Sequence, residues 1–116
     1  MTKTVFLDID GTLIEHLGNM THQLKKFPAL LDGTLEKLNE WVRKDYRIIL
    51  TTGRKEGNRS ETEEMLARYG IPYDMLIMGL PRGPRVVIND LKPGSPEATA
   101  VGVTIVRNIG IKNVDI

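Results

Sequence analysis

Two aspartates one residue apart, Asp8 and Asp10, follow an apolar run from Thr4 to Leu7 and precede the pair Gly11-Thr12. On an extended chain the side chains repeat every second residue, so these two carboxylates point the same way. Held that close they repel by about 4 kcal/mol at an effective dielectric of 20, which favours a bound cation or a shared proton. The donors are hard oxygens and the chain has no cysteine, so the cation that suits them is Mg²⁺. The plain alternative is a hairpin turn at Asp-Gly. A calcium loop counted from Asp8 needs a glutamate at its twelfth position, where Asn19 stands, and is discarded.

The elements that must position this pair follow from the other apolar runs. Arg47 to Leu50 leads into Thr51, Thr52, Gly53 and Arg54, and Arg85 to Ile88 leads into Asn89 and Asp90. Short apolar runs rich in β-branched residues and closed by turn or polar residues read as strands. Met75 to Met78 and Val103 to Val106 read the same way, which makes five strands in all. Between the first two lies a helical pattern over Asp32 to Lys44, with Asp32 as its cap and Trp41 in its apolar stripe. A second helix starts at Ser60, with Glu63 completing a capping box, and stops at Gly70. Gly79 to Pro84 holds two glycines and two prolines and is loop. Strands alternating with helices predict a parallel sheet with right-handed crossovers. Ligands bind beyond the carboxyl ends of such strands, where Asp8, Asp10, Thr52, Arg54 and Asp90 converge. Residues 13–23 read as a short flap or excursion, too short to be a domain, with a helix as the alternative, and His16 and His22 as solvent-facing or locally bonded. The tail from Ile111 to Ile116 alternates in polarity, as an edge strand or partner contact would.

Asp8-Ile9-Asp10-Gly11-Thr12 after an apolar strand resembles the first motif of the haloacid dehalogenase-like (HAD) phosphohydrolase superfamily. The resemblance implies a three-layer Rossmann-like sheet of strand order 3-2-1-4-5, with Asp8 as nucleophile and Asp10 as general acid and base. Thr52, or alternatively Thr51, corresponds to the hydroxyl of the second motif, and Gly53-Arg54 to a Ser/Thr-Gly-Arg variant in which the arginine binds phosphate. Asp90 corresponds to the fourth motif and would complete a Mg²⁺ site with Asp8 and a carbonyl near Asp10. The third-motif lysine falls at Leu80 and is missing, which makes Arg82 and Arg85 its replacements, ahead of Lys92 and Lys55. The inserts are short, so the resemblance implies a capless enzyme, open to bulky phosphorylated substrates or covered by another subunit. The expected activity is hydrolysis of a phosphomonoester through an aspartyl-phosphate. The competing expectation is a HAD-like scaffold that binds Mg²⁺ and a phosphorylated ligand without turnover. A receiver-type signalling domain would need its phosphoacceptor after the third strand, where Met78-Gly79 stands.

Composition agrees with one domain over residues 1–116. Apolar residues make up 41% of the chain and charged ones 27%, enough for a core and against disorder. A formal net charge of +1 argues neither for nor against a nucleic-acid partner. The absence of cysteine and of a leader before the first strand suits a cytoplasmic protein, and no apolar run has the roughly 20 residues of a membrane span.

Overall fold

A computed structural model describes residues 2–18 and 27–116. Three of the apolar runs form strands, β1 (Thr4–Asp8), β2 (Arg47–Thr51) and β3 (Met75–Ile77). They pair in parallel in the order β1-β2-β3, with Asp8 opposite Thr51 and Thr51 opposite Ile77. The central strand β2 buries Ile48, Ile49 and Leu50 in succession, because a parallel strand between two neighbours is covered on both faces. Helix α1 (Thr34–Arg43) connects β1 to β2, and α2 (Arg59–Tyr69) connects β2 to β3. This α/β layout is consistent with a Rossmann-like arrangement. No helix among the described residues is long and apolar enough to cross a membrane.

The core joins Leu7 and Ile9 to Leu38, Trp41, Ile48, Leu50, Met65 and Leu66. Trp41 is buried, as its place in the stripe of α1 requires, and of the strand methionines Met78 is buried while Met75 lies outward. Both helix starts differ from the sequence expectation. At α1 the residue before the first turn is Gly33, at φ 82°, and a Cβ there would stand 2.3 Å from Cβ of Lys112. The Asp32 carboxylate instead meets Nζ of Lys112 at 3.4 Å. At α2 a short 3₁₀ turn, Glu56–Asn58, starts the helix early, so Ser60 is already inside it. Glu63 closes no capping box because Arg59 holds it, at 3.2 Å, together with Glu56 at 2.8 Å. Gly70 does end α2, at φ 71°.

Residues 78–116 contain neither strand nor helix. The expected fourth and fifth strands, 85–90 and 103–106, are therefore not formed. The connection from β3 to Arg85 is residues 78–84, short of the dozen or so that a parallel crossover needs. The two runs instead form an arm whose branches meet near the tip. Asn89 Nδ2 donates to the Thr99 carbonyl at 3.1 Å, and the Thr99 hydroxyl donates to the Asp90 carbonyl. Apart from Ile105, which packs against the core, its apolar side chains face water, with Val86 78% and Ile88 92% exposed. The molecule is 54 Å long against 28 and 25 Å in the other directions. Beyond the arm the chain returns, with the Asn108 N–H donating to the Gly11 carbonyl at 2.8 Å. The tail closes on its own core, where Ile111 is buried and Val114 and Ile116 pack, so the expected edge strand is replaced by this packing.

Candidate active site

β1 delivers Asp8 to its carboxyl end, and a tight turn follows. The N–H groups of Thr12, Leu13 and Ile14 all donate to the Ile9 carbonyl, at 3.2, 2.9 and 3.3 Å. Gly11 takes φ 85° within it, a conformation open to glycine, and its N–H is committed to the Ile14 carbonyl at 2.7 Å. The turn swings Asp10 across to β2, where Arg54 waits after Thr52 and Gly53. Arg54 Nε donates to Oδ2 of Asp10 at 2.9 Å and Nη2 to Oδ1 at 2.8 Å, a two-pronged pair that only guanidinium geometry provides. This pair holds the Arg54 guanidinium firmly charged.

A cleft of about 990 Å³ opens above these strand ends, lined by Asp8, Asp10, His16, Thr52, Gly53 and Arg54. Thr52 is buried, and its hydroxyl oxygen accepts the Arg54 N–H at 3.1 Å. Thr51 does not line the cleft, because its hydroxyl donates to the Leu7 carbonyl at 3.3 Å. The loop after β3 is drawn over the cleft by the Leu80 N–H to the Thr52 carbonyl, 3.1 Å, and the Gly79 N–H to the Arg54 carbonyl, 2.7 Å. Arg82 and Arg85 follow and both line the cleft, as does Lys55. Arg85 is leashed to its loop through the carbonyls of Pro81 and Gly83, at 2.9 and 3.1 Å.

Asp8 keeps open surface toward the cleft while protein crowds its carboxyl from below. Partial burial is the main cause that lifts its pKa above the ordinary aspartate value, and the nearby Asp10 charge adds to it. The Ile9 N–H, Arg85 and His16 pull the other way. With Arg54, Lys55, Arg82, Arg85 and Arg107 around two carboxylates, the cleft has a surplus of positive charge that suits an anion.

Three placements depart from the sequence reading. Asp90 sits exposed on the arm and does not line the cleft. Among the described residues no three acidic or histidine side chains gather closely enough to hold a metal ion. Asp8 and Asp10 both line the cleft, and one or two carboxylates are what Mg²⁺ takes beside its waters and a substrate phosphate, while both Asp10 oxygens are engaged by Arg54. His16 is half-buried. It lines the cleft, and its backbone N–H donates to Oδ1 of Asn108 at 2.7 Å, across 92 positions of sequence. His22 lies outside the described residues. Arg107, which the sequence reading missed, lines the cleft, its Cγ packed 3.1 Å from where a Gly11 Cβ would stand. It closes the apolar run Val103 to Val106, so the strand-end rule that singled out Arg54 and Asp90 would have found it.

A second cavity of about 710 Å³ shares Asp10, His16 and Arg54 with the cleft and continues to Phe27, Met65 and Arg68. The Arg68 guanidinium lies 5.2 Å from the centre of the Phe27 ring.

No family model matches the chain, and no curated protein does. Among solved structures, a chain in the "Structure of Pnkp1/Rnl/Hen1 complex" is similar at 32% identity over 67% of this chain, with a TM-score of 0.57. The chain spans 28% of the length of that neighbour.

Proposed function

We propose that the protein is a phosphoryl-transfer enzyme that hydrolyses a phosphomonoester through an aspartyl-phosphate on Asp8. The observation that supports this most is the exposed Asp8 carboxylate beside the Asp10–Arg54 pair, under a rim of arginines. The likeness to a chain of the Pnkp1/Rnl/Hen1 complex points toward phosphoryl transfer as well. Arg82, Arg85 and Arg107 draw in the phosphate dianion and neutralise it, in place of the lysine absent at residue 80. An Asp8 oxygen then bonds to phosphorus as the bond to the leaving oxygen breaks. Asp10 gives that oxygen its proton, and in the second step takes a proton from the water that splits the aspartyl-phosphate. In the resting pair both Asp10 oxygens accept from Arg54, so Asp10 must let go and take up a proton from solvent before it can act as the acid. The guanidinium so released turns to the transferring oxygens.

The second cavity meets the cleft at Asp10, His16 and Arg54, and Phe27 gives it an apolar wall for a bulky leaving group. A cytoplasmic setting belongs to the same proposal. A second reading is a scaffold that binds a phosphorylated ligand without turnover, and the distance of Asp90 from the cleft favours it. The test is phosphate release from aryl, sugar, nucleotide and oligonucleotide phosphates, with Mg²⁺ and with chelator. Turnover that disappears in Asp8→Asn supports the enzyme. Binding without release by the wild type supports the scaffold.

A further inference from the structure

The free edge of β1 and the apolar arm are two halves of one unmade pairing. Among the described residues β1 bonds to β2 on one side alone, and Phe6 is 57% exposed. The arm presents Val86, Val87 and Ile88 to water, and within residues 85–105 the described backbone bonds reduce to one turn, Ser95 N–H to the Lys92 carbonyl. An unpaired edge and an unpaired β-branched run are each a template for another strand. Residues 78–84 are too short to bring the run alongside β1 in parallel within one chain. Between two copies that restriction disappears, since no connection has to cross. The net charge of +1 sets up little repulsion between copies.

We propose that residues 85–90 of one copy add in parallel to the free edge of β1 in a second copy, reciprocally, so that each cleft is completed by the partner's Asp90. This rests on the reading of Asp8 and Asp10 as the reacting carboxylates. Apolar matching sets the register: Val86, Val87 and Ile88 lie against Val5, Phe6 and Leu7 of the other copy. Asn89 then falls opposite Asp8, and Asp90 just beyond it, at the sheet end where ligands bind. A two-fold axis makes the exchange self-complementary, each copy giving one run and receiving one. Arg85 leaves its own cleft for the foot of the other β1, so Arg82 and Arg107 remain as the arginines of the loop and arm over the cleft. The added carboxylate would supply a further oxygen ligand for a divalent cation beside Asp8.

The chain has no cysteine, so a double variant, Phe6→Cys with Val87→Cys, tests the pairing against a clean background. After oxidation it is expected to run as a covalent dimer on a non-reducing gel, and the wild type to have the mass of a dimer by light scattering. An intrachain disulfide, or a monomeric wild type at assay concentration, overturns the proposal. Ile88→Lys is expected to shift the mass to a monomer. A dimer that survives it refutes the register. Co-refolding Asp8→Asn with Asp90→Asn is expected to restore about a quarter of wild-type turnover, because random pairing makes half the dimers mixed, each with one intact site. Restoration no greater than the sum of the separate variants refutes the shared site. A wild type that dimerises, with a double variant that cross-links as described, yet releases no phosphate leaves the strand exchange standing and removes the phosphatase reading.

Discussion

Arg54 grips Asp10 with two hydrogen bonds, Nε to Oδ2 and Nη2 to Oδ1, so the third residue past β2 is tied to the second residue past β1. That bond joins the two strand ends at the carboxyl end of the sheet. It also leaves Asp8 as the carboxylate open for attack.

Arg54→Lys is expected to cut phosphate release by about a hundredfold, because an ammonium cannot match both carboxylate oxygens and then turn to the transferred group. The melting temperature is expected to change little, since the pair is partly exposed on both sides. Steady-state kinetics beside a thermal melt separates the two effects.

Asp8 governs the acid side of the rate profile. Its pKa lies above the ordinary value of 3.8 because burial opposes its charge, and the nucleophile must be ionised. The fall in kcat/KM toward low pH is therefore expected to centre above 3.8. The stability sign is the reverse of the usual carboxylate case. The folded state holds this proton more tightly than the unfolded chain, so stability falls as pH rises from the unfolded pKa through the folded one. Asp8→Asn is expected to melt higher than the wild type at neutral pH while releasing no phosphate. An unchanged or lower melting temperature would count against the desolvated carboxyl.

Asn108 ties residues 11 and 16 to the end of the arm, through its N–H to the Gly11 carbonyl and its Oδ1 to the His16 N–H. Asn108→Ala loses the second bond and sets an alanine at φ 67°, at a cost of about 1 to 2 kcal/mol. The nearby Arg107 loses its anchor. A rise in KM for a phosphomonoester larger than the fall in kcat is the expected outcome, with Arg107→Ala showing the same split in a protein of unchanged melting temperature.

Gly33→Ala is a stability prediction independent of the chemistry. Its φ of 82° and the approach to Lys112 both exclude a Cβ, and a loss of about 2 kcal/mol or more in urea unfolding is expected. Circular dichroism through the transition measures it.

Period and punctuation made β1, β2, β3 and the two helices legible to within a few residues, because each is local: an apolar run, a helical stripe, a glycine stop. The approach of Asp8, Asp10, Thr52 and Arg54 was legible for the same reason, since a parallel sheet sends all its strand ends one way. The pairing of residues 85–90 and 103–106 depends on whether a connection can cross the sheet, and apolar pattern says nothing of that. The caps failed where a neighbour intervened, Lys112 at Gly33 and Arg59 at Glu63. The place of His16 in the cleft was not legible because the bond to its backbone N–H comes from Asn108, distant in sequence.

The bonds from Asn108 to Gly11 and His16 also set an order of manufacture. During translation β1 and its acids emerge first, yet the turn that shapes the cleft lacks its last anchors until residue 108 has left the ribosome. A stalled or clipped chain that ends inside the arm could bury most of the core around β2 and still show an unfinished cleft, so the pocket itself reports whether synthesis has passed that point.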